Sequence, residues 1–216
     1  MLQIRLEVRG LSKESQNEQV RMLTALLKAR LSKKRFTHSV NVARAAYALA
    51  ERWGADPERA YLAGLLHDCC KELPFPEQKE LMQQGPFVVS DTEWLCKPVW
   101  HGIAAASYMH AELSIEDAEV LGAARWHTVG KANMTRLEEI VYMADLISAE
   151  RTYRDVDRFR KMAQNDLDKA MLCAFEYAIE SVMKKQTPLP VSTVEAYNYY
   201  LARIAARTEE KSKPQK

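Results

Sequence analysis

The segment AYLAGLLHDCCKEL, residues 60–73, constrains this chain more than any other. It reads as a strongly apolar helix with His67 and Asp68 at its end. An unpaired carboxylate is costly to bury in such surroundings, so the segment needs a cation and requires other parts of the chain to be folded against it. Ala63 and Gly64, one turn before His67, are small enough to let another helix approach closely.

The remainder of the chain punctuates itself as helices. Apolar positions from Glu14 to Arg30 recur at helical spacing, and Ser32 stands as the N-cap of a helix running to Trp53 and closed by Gly54. Asp56 and Pro57 open the next helix, expected through about Cys70. A short helix lies in LPFPEQKELMQQGP, and a longer one is predicted from about Pro98 to Glu112. Ser114 is expected to cap a helix reaching Trp126 and His127, and Thr135 to start TRLEEIVYMADLIS. Helices about Val156–Gln164 and Leu167–Lys185 follow, then a TPLPVST linker and a last amphipathic helix to about Arg207. With only 7 glycines in 216 residues, the fold class is all-α, a helical bundle forming one domain over residues 12–207. Residues 1–11 alternate Leu2, Ile4, Leu6 and Val8 like a strand without a partner and are expected to be a poorly ordered extension. Residues 208–216 read as a disordered tail.

Charge and hydropathy exclude several roles. The 31 basic and 29 acidic residues are spread along the chain, leaving no arm of the kind nucleic-acid binders carry, while a small anionic substrate fits. No stretch approaches the roughly 18 apolar residues of a membrane span, and MLQIRLEVRG lacks a signal-peptide core, so a cytoplasmic protein is expected. Cys69, Cys70, Cys96 and Cys173 form no CxxC and read as reduced thiols.

Chemistry concentrates on histidine. Of the 5 histidines, His38, His67, His101 and His127 sit at or near predicted helix ends, and an apolar-flanked Asp145 follows. Successive helices of a bundle can each bring one such ligand to a common centre. Neutral imidazoles and carboxylates suit Fe, Mn, Co, Ni or Zn. His110 matches no such pattern and reads as a hydrogen-bonded residue of the packing. Trp94, Trp100 and Trp126 flank the ligand segments but are expected in the core.

The ordered motifs RFTHS at 35–39, GLLHDCCKE at 64–72, HGIAAA at 101–106, RWHTVGKANMTRLEEIVYMADLI at 125–147 and TPLPVSTVEAYN at 187–198 resemble the YqeK family. These are HD-superfamily symmetrical bis(5′-nucleosyl)-tetraphosphatases of bacteria, and the resemblance covers roughly residues 12–201. It implies an HD-domain helical bundle in which His38, His67, Asp68 and Asp145 hold an iron-type cation, with Asp68 placed to bridge to a second ion if one is present, and with His101 and His127 either facing the phosphates or completing that second site. It further implies substrate contacts at Arg35, Asp68, Cys69, Cys70, Lys71, His101, His127, Thr128, Arg151 and the loop Pro188, Leu189, Pro190, Val191, Ser192 and Thr193. Asp68, Lys71, His101 and His127 are the implied catalytic set. The implied reaction is attack of a metal-bound hydroxide on the polyphosphate of diadenosine tetraphosphate, releasing two ADP. Ser148 stands where the family usually has Glu, and Cys69 and Cys70 replace what is often an aromatic or alanine pair. Two alternatives stay open on the sequence alone: an HD-type hydrolase of another nucleotide, and a non-catalytic nucleotide sensor.

Overall fold

A computed structural model describes residues 13–212, and the N-terminal extension expected at 1–11 lies outside them. Eleven α-helices and one short 3-10 turn make up the regular structure, with no strand among the described residues. They are α1 (Lys13–Arg30), α2 (Lys33–Trp53), α3 (Pro57–Leu66), α4 (Phe75–Gln84), α5 (Asp91–Leu95), α6 (Trp100–Ala111), α7 (Ala118–Trp126), α8 (Arg136–Ile147), α9 (Val156–Asn165), α10 (Leu167–Lys185) and α11 (Val191–Ser212).

The centre of the bundle is α2 packed against α3 and α8, with α7 bridging α3, α6 and α8. Leu49, Leu65, Leu66, Ile103, Met109 and Ile140 are fully buried between these helices. Close approach comes from small residues. A Cβ on Gly64 would stand 3.0 Å from Ala43 Cα and 3.2 Å from Ala46 Cβ, so any side chain there would push α3 off α2.

Local signals fix most helix ends. Ser32 accepts from Arg35 N, Asp56 accepts from Glu58 N and Arg59 N, and Gly54 closes α2 in the left-handed region at φ 70°. Thr135 and Glu138 form a reciprocal capping box at α8. The cap expected at Ser114 is instead made by Asp117, which accepts from Glu119 N and Val120 N, while Ser114 turns the chain at φ 51°. The helix expected from Pro98 begins at Trp100, because Pro98 lies in a 3-10 turn, Lys97–Val99, that leads into α6. The apolar helix expected through Cys70 ends at Leu66 and continues as turns. The tail expected to be disordered from 208 is helical through Ser212. Arg207 anchors it by pairing with Asp166 at 2.5 Å and Asp168 at 3.3 Å. Among the described residues no helix is long and apolar enough to cross a membrane.

Candidate metal centre

His67 caps the C-terminus of α3, its backbone N–H bonded to Ala63 O, and the turns that follow carry Asp68 and Lys71 to one cavity wall. His38 comes from the second turn of α2, His101 from the first turn of α6, His127 from the C-cap of α7, and Asp145 from the last turn of α8. Another glycine sets the spacing between two of these. A Cβ on Gly102 would stand 3.1 Å from Ala124 O and 3.3 Å from the His127 ring, so its absence brings α6 onto the end of α7.

Asp68 sits between two sets of imidazoles. Its Oδ2 lies 3.5 Å from His38 Nε2 and 3.6 Å from His67 Nε2, and His38 Nε2 is also 3.1 Å from Asp145 Oδ1. Its Oδ1 faces the other way, 3.2 Å from His101 Nε2 and 3.4 Å from His127 Nε2, which are themselves 3.1 Å apart. The donor atoms of His38, His67 and Asp145 lie within 4.8 Å of one another, as do those of His67, Asp68 and His127. Donors about 2.0–2.2 Å from one ion would stand roughly 3–4 Å apart, so both groups are of the right size.

The donor atoms are also chemically available. His67 Nδ1 donates to Gly64 O at 2.6 Å and His127 Nδ1 to Ala124 O at 2.7 Å, which leaves the lone pair on Nε2, facing inward. His38 Nε2, His67 Nε2 and Asp68 Oδ1 are buried without a hydrogen-bond partner. A buried polar atom left in that condition costs about 1–3 kcal/mol. Three such atoms converging in one place, all nitrogen and oxygen, fit a divalent cation.

Electrostatics agree. Burial pushes His67 down to about 4 and His101 to about 4, so both rings are neutral near pH 7. His38 departs from this pattern: burial would lower it as well, but Asp145, Asp68 and Glu150 raise it to about 9, so its ring holds a proton near pH 7 that a bound cation would displace. For Asp68, burial opposes ionisation, and the surrounding histidines outweigh it and hold the carboxyl well below its usual range. Asp145 moves in the same direction, burial being overcome by His38, His67 and Arg151.

A cavity of about 390 Å³ opens on this cluster. Three cations surround its mouth. Arg35 Nη1 is 2.5 Å from Asp68 Oδ2, Arg151 Nη2 is 2.5 Å from Asp145 Oδ1, and Lys71 Nζ is 3.1 Å from both nitrogens of His101. Thr128 also lines the cavity, with its hydroxyl buried and unpartnered. Arg35, Lys71, His101, His127, Thr128 and Arg151 are thus brought together around Asp68 and Asp145.

Other expected contacts lie elsewhere. Cys69 and Cys70 are buried, with their sulfurs 3.9 Å apart, and neither lines the cavity. None of Pro188, Leu189, Pro190, Val191, Ser192 and Thr193 lines it. Val191, Ser192 and Thr193 form the first turn of α11, and Thr193 Oγ1 donates to Val129 O at 2.8 Å, so this helix start supports the backbone just after Thr128. Trp94, Trp100 and Trp126 stay out of the cavity, and Trp100 is buried with its indole N–H on Glu93 O at 2.8 Å. The wall that sequence reasoning missed is α10, through Ala174, Tyr177, Ala178, Ser181 and Val182. Tyr177 is 39% exposed and its ring stacks on Tyr153, with centroids 5.6 Å apart at 25°.

The chain matches the HD domain family over residues 35–150, a stretch that contains all six histidine and aspartate donors, and it belongs to that family. Its relatives narrow the placement. A Bacillus subtilis (strain 168) protein named "Bis(5'-nucleosyl)-tetraphosphatase, symmetrical" is 33% identical over 180 residues, covering 82% of this chain and 95% of that one. A Staphylococcus aureus protein of the same name is 34% identical over 177 residues, covering 81% and 91%. A crystal structure from Clostridium acetobutylicum, described as a "predicted HD superfamily hydrolase involved in NAD metabolism", superposes with a TM-score of 0.82 at 36% identity over 85% of this chain and 97% of that one. Within the HD-domain phosphohydrolases, this chain is therefore a homologue of the symmetrical bis(5′-nucleosyl)-tetraphosphatases.

Proposed function

We propose that the protein cleaves diadenosine tetraphosphate at its central anhydride to give two ADP. The observation that carries this reading is Asp68, a buried carboxylate shared between two imidazole sets beside a cavity ringed by Arg35, Lys71 and Arg151. The relatives' names agree with it.

His38, His67, Asp68 and Asp145 would hold a divalent cation, and His101 and His127, with the second oxygen of Asp68, could hold another. Iron is the proposed metal, with Mn, Co, Ni and Zn compatible with the same donors. A cation there supplies a Lewis acid that lowers the pKa of a nearby water and withdraws charge from phosphoryl oxygens. The chain's own groups do the rest. Arg35, Lys71 and Arg151 bind the polyphosphate and compensate the charge that builds on its oxygens as the water oxygen bonds to phosphorus and the bridging oxygen leaves with ADP. Thr128 offers a hydroxyl at the same wall. Tyr177, which lines the cavity with Ala178 and Val182, offers an aromatic ring for one nucleobase.

Chromatography of the products tests the reading. Anaerobically purified protein, loaded with iron, manganese or cobalt, should convert diadenosine tetraphosphate to ADP alone, and D68A should be inactive while remaining helical. AMP plus ATP, or no turnover alongside dephosphorylation of a mononucleotide, would overturn it.

A further inference from the structure

The three histidines whose ring nitrogens are braced from behind are not braced alike. His67 and His127 each bond a backbone carbonyl of their own helix, whereas His38 Nδ1 bonds the carboxylate oxygen Oε1 of Glu150. Glu150 is itself held from several sides. Ser148 Oγ donates to the same Oε1 at 2.7 Å, and Asn41 Nδ2, one turn beyond His38 on α2, donates to Oε2 at 2.7 Å. The backbone carrying it is fixed by Arg160 of α9, whose guanidinium donates to Ile147 O at 3.1 Å, Ser148 O at 3.0 Å and Arg151 O at 3.1 Å. Ser148 is fully buried, and although Glu150 itself is exposed, both of its oxygens are engaged, Oε1 by His38 and Ser148 and Oε2 by Asn41.

We propose that Glu150 is the positioning residue of the metal centre. Its carboxylate fixes the His38 ring with Nε2 facing Asp68 and Asp145 and makes that nitrogen a stronger donor, with Ser148 and Asn41 as its anchors. The proposal rests on the metal-centre reading above. It assigns Ser148 a role through the hydroxyl that orients Glu150, and it makes His38 the ligand whose donor strength the chain tunes with a full charge.

The test is metal affinity, measured by chelator competition with Mn(II) and Co(II), together with the visible spectrum of the cobalt-loaded protein. E150A should weaken binding by about 10- to 100-fold and alter the cobalt bands. The isosteric E150Q, which keeps the packing and one acceptor, should lose less. Ser148 Oγ already stands 2.7 Å from Glu150 Oε1, so the double variant S148E/E150A should regain affinity by supplying the carboxylate from the neighbouring position. E150A affinity within twofold of wild type with an unchanged spectrum, or a double variant no tighter than E150A, overturns the proposal. H38A separates the two levels. Weakened binding in H38A with wild-type binding in E150A rejects only the role of Glu150, and wild-type binding in both rejects the metal centre as well.

Discussion

Lys71 holds its ammonium 3.1 Å from both ring nitrogens of His101. Equal distances place the charge off either lone-pair direction, so His101 keeps Nε2 for the side of Asp68 and His127. Burial lowers the pKa of Lys71, most of whose hydration is lost, and makes its charge more effective at the cavity. K71M is expected to lower kcat by about 10²- to 10³-fold with metal content unchanged. Steady-state kinetics alongside elemental analysis would show it, and an unchanged kcat removes Lys71 from the chemistry.

The two faces of Asp68 predict a stoichiometry. With an ion on each, wild-type protein saturated with Mn(II) binds two equivalents, and H101A retains only the one on the side of His38, His67 and Asp145. Mass spectrometry under non-denaturing conditions counts them. One equivalent in both proteins would restrict the metal to the His38 side and leave His101 and His127 to the phosphates.

Tyr177 is expected to act on binding rather than on bond cleavage. Stacking of a base on an aromatic ring contributes about 1–3 kcal/mol, so Y177A should raise KM for diadenosine tetraphosphate roughly tenfold at nearly constant kcat. Inhibition by inorganic pyrophosphate, which has no base, should not change. An equal effect on both would mean that the substitution disturbs the phosphate side.

Asp117 ties α7 to α3 and carries a pH signature. It caps α7 and binds Arg59 through two oxygens, at 2.8 and 2.5 Å. Burial would raise its pKa, but Arg59 and the amides of Val120 and Glu119 bring it below the usual carboxylate value. A depressed folded pKa gives stability that is complete above the unfolded value, about 3.9, and is lost as pH falls through the folded one. D117N, which can still cap, should be less stable than wild type by about 1–3 kcal/mol at pH 7. That difference should close in acid, as urea titrations at pH 7 and pH 3 would show; a constant gap would contradict it.

Much of this was legible in the sequence, for local reasons. Ser32, Gly54, Asp56 with Pro57, and Thr135 mark helix ends through contacts made within a few residues, and the structure places them there. Ser114 misled because Asp117, a better acceptor, stands three residues on and the apolar Ile115 between them is buried as part of a loop. The signal for α5 was present and missed: Ser90 and Glu93 form a capping box. The histidines and aspartates were visible because a cation restricts residue type strongly. The α10 wall was not, since Ala174, Ala178 and Val182 carry no chemistry and only tertiary packing brings them to the cavity. Glu150 was passed over for a similar reason, because its partners His38 and Asn41 lie more than a hundred residues away in sequence.

The direction in which the helices enter the centre has its own consequence. α3, α7 and α8 end there, delivering His67, His127 and Asp145 from or beside their C-termini, while α2 and α6 begin there with Arg35 and His101 in their first turns. Each helix carries roughly half a negative charge at its C-terminal end and half a positive charge at its start. The backbone alone therefore brings partial charges of both signs to one pocket, negative helix ends beside His67, His127 and Asp145 and positive ones beside Arg35 and His101. Side-chain substitutions leave those partial charges in place, so variants stripped of a single ligand should still draw metal and phosphate to the pocket, only more weakly.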